Sequence, residues 1–157
     1  MKASPDPEGN IFLHAETPSD WEVLSCIAAD GAGYALADAM GGLMQDGPAG
    51  QDWHDFVVPG LEDAFSGQLE FITRCVADAR ATAHGGPGSI LIRREEAEMW
   101  YGALNQARIA LENRHDLAAA VAGEDVMAMS RPRRSAYFRS HIYLQIQSML
   151  LDNMMRP

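Results

Sequence analysis

The side chains of this 157-residue chain that could do chemistry are dispersed. His14, His54, His84, His115 and His141 fall in different predicted elements, and no His-x-x-x-His or Cys-x-x-Cys pair puts two ligands on one turn. No metal site and no cofactor are expected. His84-Gly85-Gly86 has the look of an oxyanion-hole segment, but no Gly-x-Ser-x-Gly elbow accompanies it and the chain is too short for the large sheet that carries one. Gly31-Ala32-Gly33 lacks the third glycine of a dinucleotide fingerprint and lies within a helical pattern. Asp52, Asp55, Glu62 and Asp63 lie close in sequence. Paired acids do acid/base work when burial separates their pKa values, yet a run of this kind reads first as a solvated face. No catalytic residue is assigned, and an enzyme is the less favoured class.

Two cationic features say more. Arg131, Arg133 and Arg134, followed by Arg139, open a predicted helix, where cations oppose the helix dipole. Something acidic must compensate, either the chain's own acidic half or an external phosphate or acidic partner, so the four form a candidate anion or partner patch. The second feature is Arg108, within Trp100–Leu111. At helical steps of about 100°, Arg108 falls in the same arc as Trp100, Leu104, Ala107 and Leu111, and Asn105 borders it. An unpaired buried guanidinium costs several kcal/mol, so Arg108 must find a partner, with Glu112 the nearest in sequence. Trp100, Asn105 and Arg108 are read as a structural clamp or, alternatively, as a ligand or partner site.

The elements that must position these residues are mostly helical. Ile11–Ala15 follows turn formers and reads as a short strand, and Ser89–Ile92 as a second, pairing with it. A first helix starts near Asp20, where Thr17 or Ser19 can cap it and Ser19-x-x-Glu22 fits a capping box. Carried to residue 39, it stacks Ala28, Ala32, Ala35 and Ala39 in one sector suited to tight packing. A second helix runs from about Pro59 or Leu61 to Ala83, with Gln68 inside its apolar stripe and in need of a hydrogen-bond partner. A third spans about Arg94 to Arg114. The fourth runs from Ser130 to about Met154 and has two apolar faces. Phe138, Ile142, Ile146, Met149 and Leu150 make one; Tyr137, Leu144, Leu151 and Met155 make a narrower one, so the helix is either buried between layers or uses this second face as a dimer stripe. The expected fold is mainly α, a bundle of about four helices with a small two-stranded antiparallel sheet. It forms a single domain over 1–157, with residues 1–10 disordered and 41–58 a loop.

Composition bounds the partners. Residues 1–83 hold 3 basic and 14 acidic side chains, a net charge of −11, whereas residues 84–157 hold 9 and 8, a net of +1. The acidic half repels polyanions, so nucleic-acid binding is not favoured. No run approaches a membrane span and no signal peptide is evident, so a soluble cytoplasmic protein is expected. Cys26 and Cys75 read as small buried residues in a reducing compartment.

One sequence signature adds to this. Ile90-Leu91-Ile92 precedes Trp100-x-x-Ala103-Leu104-Asn105-x-x-Arg108, and the last helix carries Gln145, Gln147, Leu150 and Leu151. In these residues and in the order of its elements the chain resembles the bacterial, mostly actinobacterial family named domain of unknown function 2017. The resemblance implies proximity to the adaptor of the Clp protease, and so a regulatory or adaptor role in proteolysis. It also implies the label of transcriptional regulator that some members carry. The expected function is a non-enzymatic interaction or regulatory protein, homodimeric through Tyr137, Leu144 and Leu151, with a protein partner in regulated proteolysis. The alternatives are a nucleic-acid-binding regulator using the arginine patch, and a small-molecule binder or enzyme with a pocket at Arg108.

Overall fold

A computed structural model describes residues 1–42, 48–118, 123 and 125–155. Strand β2, Ile11–Ala15, alternates as its sequence requires: Ile11, Leu13 and Ala15 are buried while Phe12 and His14 face away. It pairs antiparallel with β3, Gly88–Ile92, in a register that sets Leu13 opposite Ile90. The sheet has a third strand, β1, Lys2–Pro5, antiparallel to the other side of β2. The expectation of disorder over residues 1–10, and of a two-stranded sheet, is therefore corrected. Lys2–Pro5 lacks an alternating apolar pattern because the strand is mostly exposed. Its order comes from pairing with β2 and from the turn between them, where the Asp6 carboxylate accepts from the amides of Glu8 and Asn10.

Among the described residues five helices follow this start, one more than the four expected, because the glycines after α1 set off a short separate helix. Helix α1, Pro18–Gly31, is opened by a capping box in which Thr17 accepts from the Asp20 amide and Asp20 accepts from the Thr17 amide. The box is thus Thr17/Asp20, one of the two caps expected, and not Ser19/Glu22. Desolvation acts to raise the Asp20 carboxyl, but the amides of Glu16 and Thr17 and the amino terminus outweigh it and hold it below its usual range. The helix stops at Gly31, and Gly33 takes a φ of +76°, so the sector of four alanines is interrupted. Helix α2, Leu36–Gly41, then begins.

Helix α3, Val58–Thr82, extends back without a break through the π-helical turn Trp53–Val57 to Pro48–Asp52. Most of the expected 41–58 loop is therefore helical; residues 43–47 of it lie outside the described residues. Trp53 fixes this extension by donating to the Ala37 carbonyl at 3.3 Å. Its ring lies over Gly41, where a Cβ would collide with it. Helix α4, Ala97–His115, carries the signature, and helix α5, Arg131–Leu150, runs on into a π-helical turn, Leu151–Met155.

Helix α4 is the centre of the assembly, packing on α1, α3 and α5. Ala97, Trp100, Ala103, Leu104, Ala107 and Leu111 form a continuous buried stripe along it. The sheet's inner residues join the same core, with Trp21 of α1 closing it toward the β3 turn by donating to the Gly86 carbonyl at 2.7 Å. Gly31 lets α1 approach closely: a Cβ there would press on Leu69 of α3 and on Gln106 and Ala107 of α4. Among the described residues, no helix is long and apolar enough to cross a membrane.

Candidate functional site

Arg108 points inward and is half-buried, as its place in the apolar arc requires. Its Nη1 donates to Gln147 Oε1 of α5 at 2.8 Å, and Gln147 Nε2 donates to the Tyr101 carbonyl of α4 at 3.2 Å. Gln147 is only 2% exposed, so one buried amide is held at both ends and joins α4 to α5. The partner is this neutral amide and not Glu112. Among the described residues, Arg108 Nε and Trp100 Nε1 are buried without a hydrogen bond, a state worth about 1–3 kcal/mol per group. Trp100 lies fully within the core, whereas Asn105 is half-buried and makes no hydrogen bond among the described residues. The three residues therefore share a helix but not one polar constellation.

Two further clamps tie α4 and α5 to the other long helices. Gln106, 5% exposed, donates through Nε2 to Gln68 Oε1 at 2.7 Å and to the Phe65 carbonyl at 3.2 Å, joining α4 to α3. Gly102 makes room for Gln68, which occupies the space a Cβ would need. Gln68 thus has the partner its burial demands. The third clamp is charged. Arg139 of α5 donates from Nε and Nη2 to the two oxygens of Asp30 of α1, at 2.7 and 2.9 Å, and the Tyr143 hydroxyl donates to Asp30 Oδ2 at 2.9 Å. Such bidentate pairs are geometrically specific as well as strong. The hydrogen bond with Asp30 raises the Arg139 pKa; burial, then the Asp30 charge, raises that of the Tyr143 phenol. An acid from the N-terminal half therefore compensates Arg139.

The other arginines of the expected patch turn elsewhere. Arg133 donates from Nε to the His115 carbonyl at 3.0 Å and from Nη2 to the Asp116 carbonyl at 2.7 Å, capping the C-terminus of α4 where free carbonyls attract a cation. Arg134 donates to the Met127 carbonyl at 3.3 Å, and Arg131 is exposed. Arg133, Arg134 and Arg139 thus bind different groups of the chain itself. Sequence reasoning did not single out Asp30, Gln106 or Tyr143. The signal for Asp30 was an acid amid the apolar and small residues of α1, and for Gln106 an amide in the signature helix.

The outer face of α5 is the other feature. Ala136, Tyr143, Ile146, Gln147 and Leu150 form its buried arc, which leaves Leu144 and Leu151 40% and 38% exposed beside a half-buried Tyr137. Phe138, expected on the inner face, is 52% exposed instead and meets Tyr137 edge to face. The inner arc centres on Ala136 and Tyr143, and Phe138 lies too far round the helix to share it. A stacked contact between Tyr137 and His141 continues the outer face.

Several surface cavities stand out among the described residues, and neither Arg108 nor Asn105 lines those at α1 and α3. These three follow the junction of the two helices, with volumes of about 410, 440 and 350 Å³, and adjoin one another through shared residues: Ala28 and Thr73, then Ala32, Ser66 and Leu69. They form one open groove. Among the described residues, no cluster of His, Cys, Asp and Glu has the arrangement of a metal site.

The family model described as Domain of unknown function (DUF2017) matches residues 32–154, most of the chain. The chain belongs to this family. In this DUF2017 chain the matched region takes in α2 to α5, with Arg108 and Gln147, while β1, β2 and α1 with Asp30 precede it. No curated protein and no solved structure matches the chain.

Proposed function

We propose that this DUF2017 chain is a cytoplasmic, non-enzymatic interaction protein with a regulatory role, and that it self-associates through the outer face of α5. The observation that carries the reading is the apolar stripe of half-buried Tyr137 with exposed Leu144 and Leu151, and exposed Phe138 beside it, on a helix whose other side is already buried. Apolar side chains grouped on one helical face favour burial against another surface. The inward Asp30, Arg139 and Tyr143 support the same reading, because their charges and donors are used on one another.

Sedimentation velocity over a dilution series tests this. The wild-type chain is expected to sediment above its 17.1 kDa mass at micromolar concentration and to approach it on dilution. Leu144→Glu/Leu151→Glu is expected to remain monomeric with an unchanged circular-dichroism spectrum. A wild-type monomer at every concentration, or a double variant that associates normally, overturns the proposal.

A protein partner in regulated proteolysis rests on the family resemblance. Its test is co-purification of the tagged chain with the Clp adaptor and protease from the native cell. Persistent absence of both from the eluate overturns that assignment.

A further inference from the structure

The open groove along α1 and α3 and the outer face of α5 have matching construction. Along α3 the groove lining contains the series Glu62, Ser66, Leu69, Thr73, Val76 and Arg80, at steps of four and three, with further residues such as Phe65, Glu70 and Ala77 flanking it. That spacing keeps one seam facing a partner helix over its whole length, because alternating steps of four and three stay close to the helical repeat. On the other wall α1 supplies Leu24, Ser25 and Ala28, with Ala32 just past its end, so that apart from the buried Leu24 the side chains there are small. A helix backbone can therefore come close on that side.

The outer face of α5 repeats the pattern. Arg134, Tyr137, His141, Leu144, Ser148 and Leu151 follow steps of three and four, with the last four exposed. At 1.5 Å per residue, Arg134 to Leu151 spans about 26 Å and Glu62 to Arg80 about 27 Å. Charge is complementary as well as length. Exposed Glu62 opens the α3 seam and exposed Glu70 flanks its middle, ahead of Arg74 and Arg80, within the half of the chain that carries −11, and Arg131 and Arg134 lie at the N-terminal end of α5. Arg80 crosses one end of the groove to Glu22 and Ser25 of α1, but beside Ala28, Ala32, Ser66, Leu69 and Thr73 it is shallow, which suits a helix better than a small ligand, since the latter binds where most of its surface is enclosed.

We propose that the outer face of α5 of one copy seats in the α1/α3 groove of a second copy, parallel to α3, with Arg134 beside Glu62. The proposal rests on self-association through α5 and names the surface that covers it. The interface joins unlike faces, so each copy carries one donor helix and one acceptor groove.

Sedimentation of complementary variants tests it. Ala77→Trp, at an exposed position of the groove wall, blocks the acceptor; Leu144→Glu/Leu151→Glu spoils the donor. Each variant alone is expected to be monomeric, while an equimolar mixture forms a 1:1 heterodimer, because an intact α5 meets an intact groove. If Ala77→Trp associates as strongly as wild type, the groove assignment is overturned while association through α5 stands. If the α5 variant also associates, both fall. Two monomeric variants that do not combine when mixed likewise overturn the groove assignment. As a second readout, Glu62→Arg is expected to weaken association at least tenfold, and Arg134→Glu in the same chain to restore it. A failure to restore overturns the parallel placement. Thermal unfolding followed by circular dichroism establishes that each variant is folded.

Discussion

Gln147 is the residue on which Arg108 depends. Its amide has one orientation available, with Oε1 toward the guanidinium and Nε2 toward the Tyr101 carbonyl. Gln147→Leu removes the acceptor of a charge-assisted bond and leaves a half-buried cation to find water. A loss of about 1–3 kcal/mol in urea unfolding is expected. Arg108→Leu is expected to cost a similar amount by leaving the buried Gln147 carbonyl oxygen unpaired. The double variant should cost less than the sum, since both polar groups leave together. Strict additivity in that cycle would show that the two side chains do not act as a clamp. The inward direction of Arg108 was legible in the sequence because helical periodicity is local. Its partner was not, because Gln147 lies on another helix and only the packing of α4 against α5 brings the two together. Asp30 and Arg139 repeat the point across an even longer separation.

At the scale of elements, the boundaries depend on contacts as much as on local preference. The long α3 and the signature helix α4 were legible from their apolar stripes. Strand β1 was not, since Lys2–Pro5 has no alternation and gains its order from β2. The helical extension before α3 was also hidden, because glycines and a proline in residues 41–52 read as a loop while Trp53 packs on Gly41 and Ala37. The turn between α3 and β3 shows how tightly such a boundary is set. A Cβ at Gly88 would lie 2.6 Å from Ala83 Cβ and 3.1 Å from the Trp21 ring. Neither neighbour is a flexible side-chain tip, so Gly88→Ala should force backbone movement and destabilise by about 1–3 kcal/mol. Thermal denaturation of that variant measures it; an unchanged midpoint would mean that the turn yields freely.

For the whole molecule, the polar contacts that join helices include Arg80 with Glu22, Arg108 with Gln147, Gln106 with Gln68, and Arg139 with Asp30. The last of these ties stability to pH on the alkaline side. The folded-state pKa of Tyr143 is raised above its ordinary value of 10.0. Its contribution is therefore complete below the unfolded value and is lost as the pH rises beyond it, because only the unfolded chain then ionises that phenol. Urea unfolding between about pH 9 and pH 11 should show a fall in stability that is smaller in Tyr143→Phe, whose ring cannot ionise. Equal slopes in the two proteins would remove the assignment.

Helix α5 has its outer face toward solvent and its inner face on both Arg108 and Asp30. Binding outside and latching inside are therefore linked equilibria of one rigid rod. A partner that binds only the docked helix stabilises both latches, and a change that loosens a latch weakens that partner in proportion to the docked fraction it removes.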